Sequence, residues 1–305
     1  MGQQLSKWAM TSAAFVGVTL LVNGCEAQVW GVPPSPGNTA PVTAAAPPAI
    51  NPPSPVQPTA SFDGLAARTR QATTDAAGSG ADVEVVVLDR NTGQIVSNGD
   101  DDPFPIASVV KLFIADDLLM QVAKGQTQLT DDDRKSLDVM LRSSDDTAAQ
   151  GFWDRSGGNA IISRVVARYG LTATTAPYNG HWDVTQSTAG DLVRYYTKLL
   201  DGSGGLPPAQ AAVIMGNLAQ STPTGTDGYP QRFGIPDGLY AEPVAVKQGW
   251  FCCWNGANQL HVSTGAIGPD RRYVMAISSL QPVDAAAARA TVTQFVKTMF
   301  PGGRI

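Results

Sequence analysis

Ser108 and Lys111 stand three residues apart inside the run 104–120, Phe-Pro-Ile-Ala-Ser-Val-Val-Lys-Leu-Phe-Ile-Ala-Asp-Asp-Leu-Leu-Met. One turn of helix brings the hydroxyl and the amine to the same face. Lysine is among the residues least often fully buried, because taking its charge out of water is costly unless something pairs it. Nucleophilic catalysis would justify that cost: burial lowers the amine's pKa, and a neutral Lys111 can accept the proton of Ser108 as the hydroxyl attacks. Ser108 would also lie in the first turn, where free backbone N–H groups and the helix dipole favour developing negative charge. The same pair also describes a helix-start serine and a lysine that snorkels to the surface, and Ser-x-x-Lys alone does not separate the two.

After its two prolines the run is apolar on nearly every side of a 3.6-residue period, which predicts a buried central helix. Upstream, residues 64–77 carry apolar residues at helical spacing. The β-branched stretch 82–89, the turn Asn91-Thr92-Gly93 and the extended 94–97 predict a hairpin. Downstream, 131–142, 147–154, 159–169, 188–200 and 207–218 read as helices, with 170–187 a loop and 220–243 turn-rich. Strands return at 244–250, 259–264 and 273–280, and an Ala-rich helix closes the chain at 284–299. Two strands at the start and three at the end predict an α+β fold: one mixed antiparallel five-stranded sheet, flanked by helices, with an inserted helical lobe. A cleft between the lobes is the natural ligand site.

The chain has 305 residues, 43% hydrophobic and 15% charged, with a net charge of −5, which allows a sizeable core and argues against nucleic acid as a partner. Its start reads as an export signal over 1–24: Lys7, an uncharged run 8–22 too short for a comfortable membrane span, then Asn23-Gly24-Cys25. A cysteine directly after a small residue at the end of such a run resembles a bacterial lipobox. That implies lipidation of Cys25 and a membrane-anchored protein on the extracytoplasmic face; ordinary secretion with cleavage nearby, or an uncleaved anchor, are the alternatives. Residues 29–60 hold ten of the 22 prolines and almost no charge, so 25–60 is expected to be an extended tether and 61–305 the folded domain.

Two further segments join Ser108 and Lys111: Ser144-Asp145-Asp146, following the helix 131–142, and Lys247-Gln248-Gly249, within the strand 244–250. In order, the three resemble the Ser-x-x-Lys, Ser-Asp-Asn and Lys-Thr-Gly motifs of the penicillin-recognising serine enzymes, the class A β-lactamases and penicillin-binding proteins. The second and third start 103 residues apart, close to that family's separation. The resemblance implies a β-lactamase/transpeptidase-like fold, with Ser108 as acylated nucleophile, Lys111 as its base and Ser144 relaying a proton to the leaving nitrogen. Lys247, with Asp146, Gln248, Gly249 and Trp250, would form the substrate-binding side, the N–H groups of Ser108 and Trp250 making the oxyanion hole. The ligand implied is a β-lactam or a peptidoglycan stem peptide. The runs 220–225 and 229–236, with Cys252-Cys253, resemble a narrower group of exported alanine-rich lipoproteins within that family.

Three departures from the motifs bear on activity. Asp146 stands where the family has Asn, and a carboxylate would pair with Lys111 and hold it protonated. Gln248 replaces Thr and would extend its amide toward the substrate carboxylate. Class A enzymes discharge the acyl-enzyme with a glutamate on a loop after the second motif, but the glutamates here are Glu26, Glu84 and Glu242, none in 170–187. That loop offers His181 and Asp183, each expected to be structural. Two readings therefore stand: a weak or slow serine acyl-transfer enzyme, β-lactamase or DD-peptidase-like, or a catalytically inactive relative that binds peptidoglycan or an envelope partner.

Cys252 and Cys253 are adjacent, and neighbours in a regular strand point to opposite faces. Two packed thiols are expected, with a vicinal disulfide as the alternative. With His181 and His261 the only histidines, neither a metal site nor a Ser-His-Asp triad is predicted. No phosphate-cradling glycine loop occurs, and no cofactor is implied.

Overall fold

A computed structural model describes residues 62–305. The expected signal segment 1–24, Cys25 and the tether to residue 60 lie outside the described residues. Strand β1 (Asp82–Asp89) alternates its side chains across the sheet. Val83, Val85 and Val87 pack into one apolar cluster, and Val86 with Leu88 into another. The sheet adds β2 (Ile95–Ser97), β5 (Val244–Trp254), β6 (Asn258–Ile267) and β7 (Tyr273–Gln281) in the order β2-β1-β7-β6-β5. Every neighbour pairs antiparallel. A separate two-stranded ribbon joins β3 (Phe104–Pro105) to β4 (Gln186–Ser187).

The first cluster is closed by the terminal helices α1 (Leu65–Gly78) and α9 (Ala285–Met299), which bury Leu65, Ala72, Val292, Phe295 and Val296. Asp284 caps α9 by accepting from the N–H groups of Ala286 and Ala287. The short α8 (Ile235–Gly238) packs against the same helix.

The second cluster belongs to the inserted lobe: α2 (Lys111–Ala123), α3 (Asp131–Arg142), α4 (Asp146–Arg155), α5 (Asn159–Tyr169), α6 (Ala189–Asp201) and α7 (Pro208–Leu218). Residues 111–120 of α2 are all buried, as its all-round apolar pattern predicts. Its two buried aspartates are paired. Asp116 receives Arg168, Tyr169 and Tyr195, and Asp117 receives both Nε and Nη2 of Arg164 at 2.7 Å. Buried carboxylates are tolerated only with such partners. Thr130 and Asp133 close a reciprocal cap on α3.

The structure differs from the sequence expectation in three places. The helix expected to contain Ser108 starts later, at Lys111, and Ser108 lies on a 3₁₀ turn over Ala107–Val110. Strands β5 and β6 are longer than the expected 244–250 and 259–264, and β6 stays paired with β7 from Gln259 to Ile267. Cys252 and Cys253 are joined by a disulfide rather than standing as two thiols. The pairing register shifts between Cys252 and Trp254, and Cys253 has φ +80°, so the chain leaves the pleat that would hold the two side chains on opposite faces.

Candidate active site

Four segments converge where β5 meets the front of α2. In a 3₁₀ turn side chains three apart eclipse one another, and Lys111 Nζ donates to Ser108 Oγ at 2.8 Å, both buried. The turn is entered through Ala107 at φ +46°, a sparsely allowed conformation for a residue with a Cβ. Strand β5 lies tight against it at Gly249. A Cβ there would sit 2.6 Å from the Ile106 carbonyl oxygen and 3.3 Å from Ser108 N, so only glycine allows this approach.

Ser144 arrives on the loop between α3 and α4 with φ +57°. Its carbonyl accepts from Lys111 Nζ at 2.7 Å, and its hydroxyl oxygen lies 3.2 Å from Lys111 Nζ and 2.8 Å from Lys247 Nζ. Lys247 also donates to the Gln248 carbonyl at 3.0 Å. One serine hydroxyl thus links two buried amines. Asp146 is the first residue of α4, and its Oδ1 lies 2.5 Å from Lys111 Nζ, while its own side chain is 71% exposed.

Burial dominates the electrostatics. It pushes the Lys111 amine below its ordinary pKa, with Asp146 opposing. The same desolvation, aided by the neighbouring charge of Lys111, pushes Lys247 well below the lysine range. The expectation that Asp146 simply holds Lys111 protonated is therefore offset by desolvation of the amine.

Above this layer a cavity of about 240 Å³ is lined by Ala107, Ser108, Asp146, Trp182, Asp183, Asp227, Trp250 and Phe251. Trp182 stands 4.8 Å from Lys111 Nζ, ring face toward the amine. Asp183, expected to be structural, is on the cavity wall, whereas His181 is exposed and outside it. Asp227 had no signal in motif spacing. Its loop is tied to the second motif by Thr226 N–H to Ser143 O at 2.8 Å and Thr222 N–H to Arg142 O at 3.0 Å. Tyr229 on that loop stacks on Trp250 at 4.8 Å.

Gln248 does not line the cavity. Alternation along β5 sends its side chain to the face opposite Lys247, where Nε2 donates to the carbonyls of Phe233 at 2.6 Å and Gln231 at 3.1 Å. The amide that was expected to reach toward the substrate carboxylate instead anchors the loop behind the strand.

The curated proteins named "Putative lipoprotein LppW" from Mycobacterium tuberculosis and Mycobacterium bovis are 62% identical to this chain over 248 residues, 81% of it and 79% of their own length. The chain belongs to the LppW family. A model of the "Beta-lactamase enzyme family" matches residues 66–133, the segment that contains Ser108 and Lys111. Among solved structures, the β-lactamase from Streptomyces albus G superposes with a TM-score of 0.62 at 20% identity, over 76% of this chain and 98% of that one. A β-lactamase from Chitinophaga pinensis gives 0.61 at 18% identity, over 76% and 98%. These likenesses establish that this LppW relative has the β-lactamase/transpeptidase-like fold.

Proposed function

We propose that this LppW-family protein, anchored through a lipidated Cys25 on the extracytoplasmic face of the membrane, carries out slow serine acyl transfer on β-lactams or peptidoglycan stem peptides. Ser108 Oγ attacks the amide carbon while Lys111 takes its proton. The tetrahedral oxyanion is held by the N–H groups of Ser108 and Trp250. On collapse the carbon–nitrogen bond breaks, Ser144 passes a proton to the leaving nitrogen, and an ester to Ser108 remains. Lys247 faces the substrate carboxylate, and Gln248 supports the strand through its backbone and its anchored amide. Release of the ester needs a base to activate water. The cavity offers Asp183 and Asp227 rather than a glutamate, so the acyl-enzyme is expected to be long-lived.

The observation that supports this reading is the buried contact of 2.8 Å between Lys111 Nζ and Ser108 Oγ. The test is intact-mass spectrometry of the full chain incubated with a penicillin, beside Ser108→Ala. A mass increase on the parent alone is expected, decaying over minutes to hours. No adduct on a folded parent with several β-lactams would overturn it. That outcome would favour the second reading, an inactive fold that binds peptidoglycan or an envelope partner, which the Asp146 contact of 2.5 Å to Lys111 supports.

A further inference from the structure

Five carboxylates crowd beside the proposed acyl-transfer cleft without a cation among them. Asp82 and Glu84 lie on β1, and Asp100, Asp101 and Asp102 precede β3. Among the described residues none of the five takes part in an ion pair. Four of them line a cavity of about 230 Å³ together with Phe104, Leu280 and Trp254. Glu84 is 4% exposed. Its Oε1 accepts from the Ala189 N–H at 2.6 Å, and its Oε2 has no partner. A buried acceptor left unpaired is costly, and such a group calls for an explanation.

The chemistry of the walls selects the ligand. Among the described residues no three carboxylates converge so as to share a metal ion. The cavity instead combines acidic groups with the apolar sides of Phe104 and Leu280 and the indole of Trp254, which suits an aliphatic chain ending in a cation. It is also close to the nucleophile. Phe104 lines this cavity and Ala107–Ser108 the catalytic one, while Trp254 lines this one and Phe251 the other. Only three residues of chain separate the two linings on each side, which puts the two sites at most roughly 10 Å apart along the backbone.

We infer that the cavity bounded by Asp82, Glu84, Asp100, Asp102 and Trp254 binds the primary ammonium of an aliphatic side chain on the same peptide that presents its scissile bond to Ser108. This assignment rests on reading the Ser108 cleft as a peptide site. Glu84 supplies a signature of its own. Burial, reinforced by the charges of Asp100, Asp101 and Asp102, pushes its carboxyl up to about 8 against the Ala189 N–H, which lowers it. The groups that face it are those three aspartates and Asp82 on β1, and on α6 the Ala189 N–H. An arriving ammonium favours the ionised acid, so binding tightens as pH rises toward 8.

The test uses the full chain and the Trp254 indole N–H resonance. N-acetylcadaverine, which has no reactive bond, should shift that resonance, and the neutral N,N′-diacetylcadaverine should not. The double variant Asp100→Asn/Asp102→Asn, at surface positions, should weaken the amine about tenfold, the effect of losing a charge-assisted contact. Glu84→Gln should abolish the dependence on pH. Equal responses to the charged and neutral probes, or full affinity in the double variant, would overturn the ammonium site. A tripeptide Nα-acetyl-Lys-D-Ala-D-Ala should bind about tenfold tighter than its Nε-acetylated form. No preference between them would overturn the shared ligand. If these preferences hold while no penicillin acylates Ser108, the ammonium site stands and the acyl-transfer reading alone falls.

Discussion

Asp146→Asn should make Ser108 react faster, although it removes a charged partner from the site. The substitution keeps the side chain's shape and restores a group that both donates and accepts. What it removes is the carboxylate 2.5 Å from Lys111 Nζ, the leading influence keeping that amine protonated against burial. A contact pair is worth about 1 kcal/mol in water-like surroundings and about 4 kcal/mol at an effective dielectric of 20. Because Asp146 is 71% exposed, solvent screens the pair and the lower figure applies. One kcal/mol corresponds to about a fivefold gain in the neutral fraction of the amine. The assay is the rate of adduct formation with a penicillin as a function of pH. The variant's acidic limb should move to lower pH, and its rate on that limb, where the amine is still mostly protonated, should rise about fivefold. Titration of Lys111 Nζ by ¹⁵N NMR reads the same shift without any reaction. An unchanged limb and an unchanged Nζ titration would refute the argument that Asp146 controls the charge of Lys111.

Gly249→Ala should lower acylation about a hundredfold, the effect of spoiling one oxyanion donor, because its Cβ would press on the Ile106 carbonyl at 2.6 Å; adduct kinetics check this, and wild-type rates would contradict it. Asp116→Ala should cost about 3–5 kcal/mol of stability in urea unfolding, since it strands the mostly buried Arg168. At the far end of β1, Arg272 holds the Asp89 carboxyl at about 2 through Nε at 2.8 Å and Nη2 at 2.6 Å. The folded pKa is depressed below the ordinary value near 3.9, so this stabilisation is full above that value and is lost as pH falls through about 2. Arg272→Leu should flatten the dependence of the urea midpoint on pH in that window; a slope equal to the parent's would contradict it.

What the sequence made legible was whatever local pattern dictates. Strand β1 declares itself by Val83, Val85, Val86 and Val87, and α2 by apolar residues on all sides, and both occur where the patterns predict. The three motif segments do meet, because sheet order and the inserted lobe bring β5 against the turn at Ser108. What pattern could not reveal depends on contacts far apart in the chain. Asp227 reaches the cavity through hydrogen bonds from its loop to Ser143 and Arg142, which no periodicity encodes. Gln248 was read by its place in a motif, whereas alternation along β5 and the free carbonyls of Gln231 and Phe233 decide its direction. The disulfide needed a register shift at the end of β5, and a regular strand gives no sign of one.

The distribution of charge around Ser108 links the two proposed sites. Lys111 and Lys247 are buried, and desolvation moves both toward neutrality. The wall that a ligand meets first carries Asp146, Asp183 and Asp227, and the neighbouring cavity adds Asp82, Glu84, Asp100 and Asp102. The catalytic pocket therefore carries carboxylates at its surface over two amines whose pKa values burial lowers, and the neighbouring cavity carries carboxylates alone. A small anion such as a penicillin approaches against that field, while a peptide bearing an ammonium approaches along it. The carboxylate that Lys247 would hold gains most when it arrives on a molecule whose other end is cationic. Its own repulsion from the aspartates is then offset by the ammonium's attraction to the second cavity, and the scissile bond is held between the two ends. On this account the missing glutamate and the acidic walls have a common consequence: the cleft is better matched to a zwitterionic peptide that acylates Ser108 than to rapid clearance of a β-lactam.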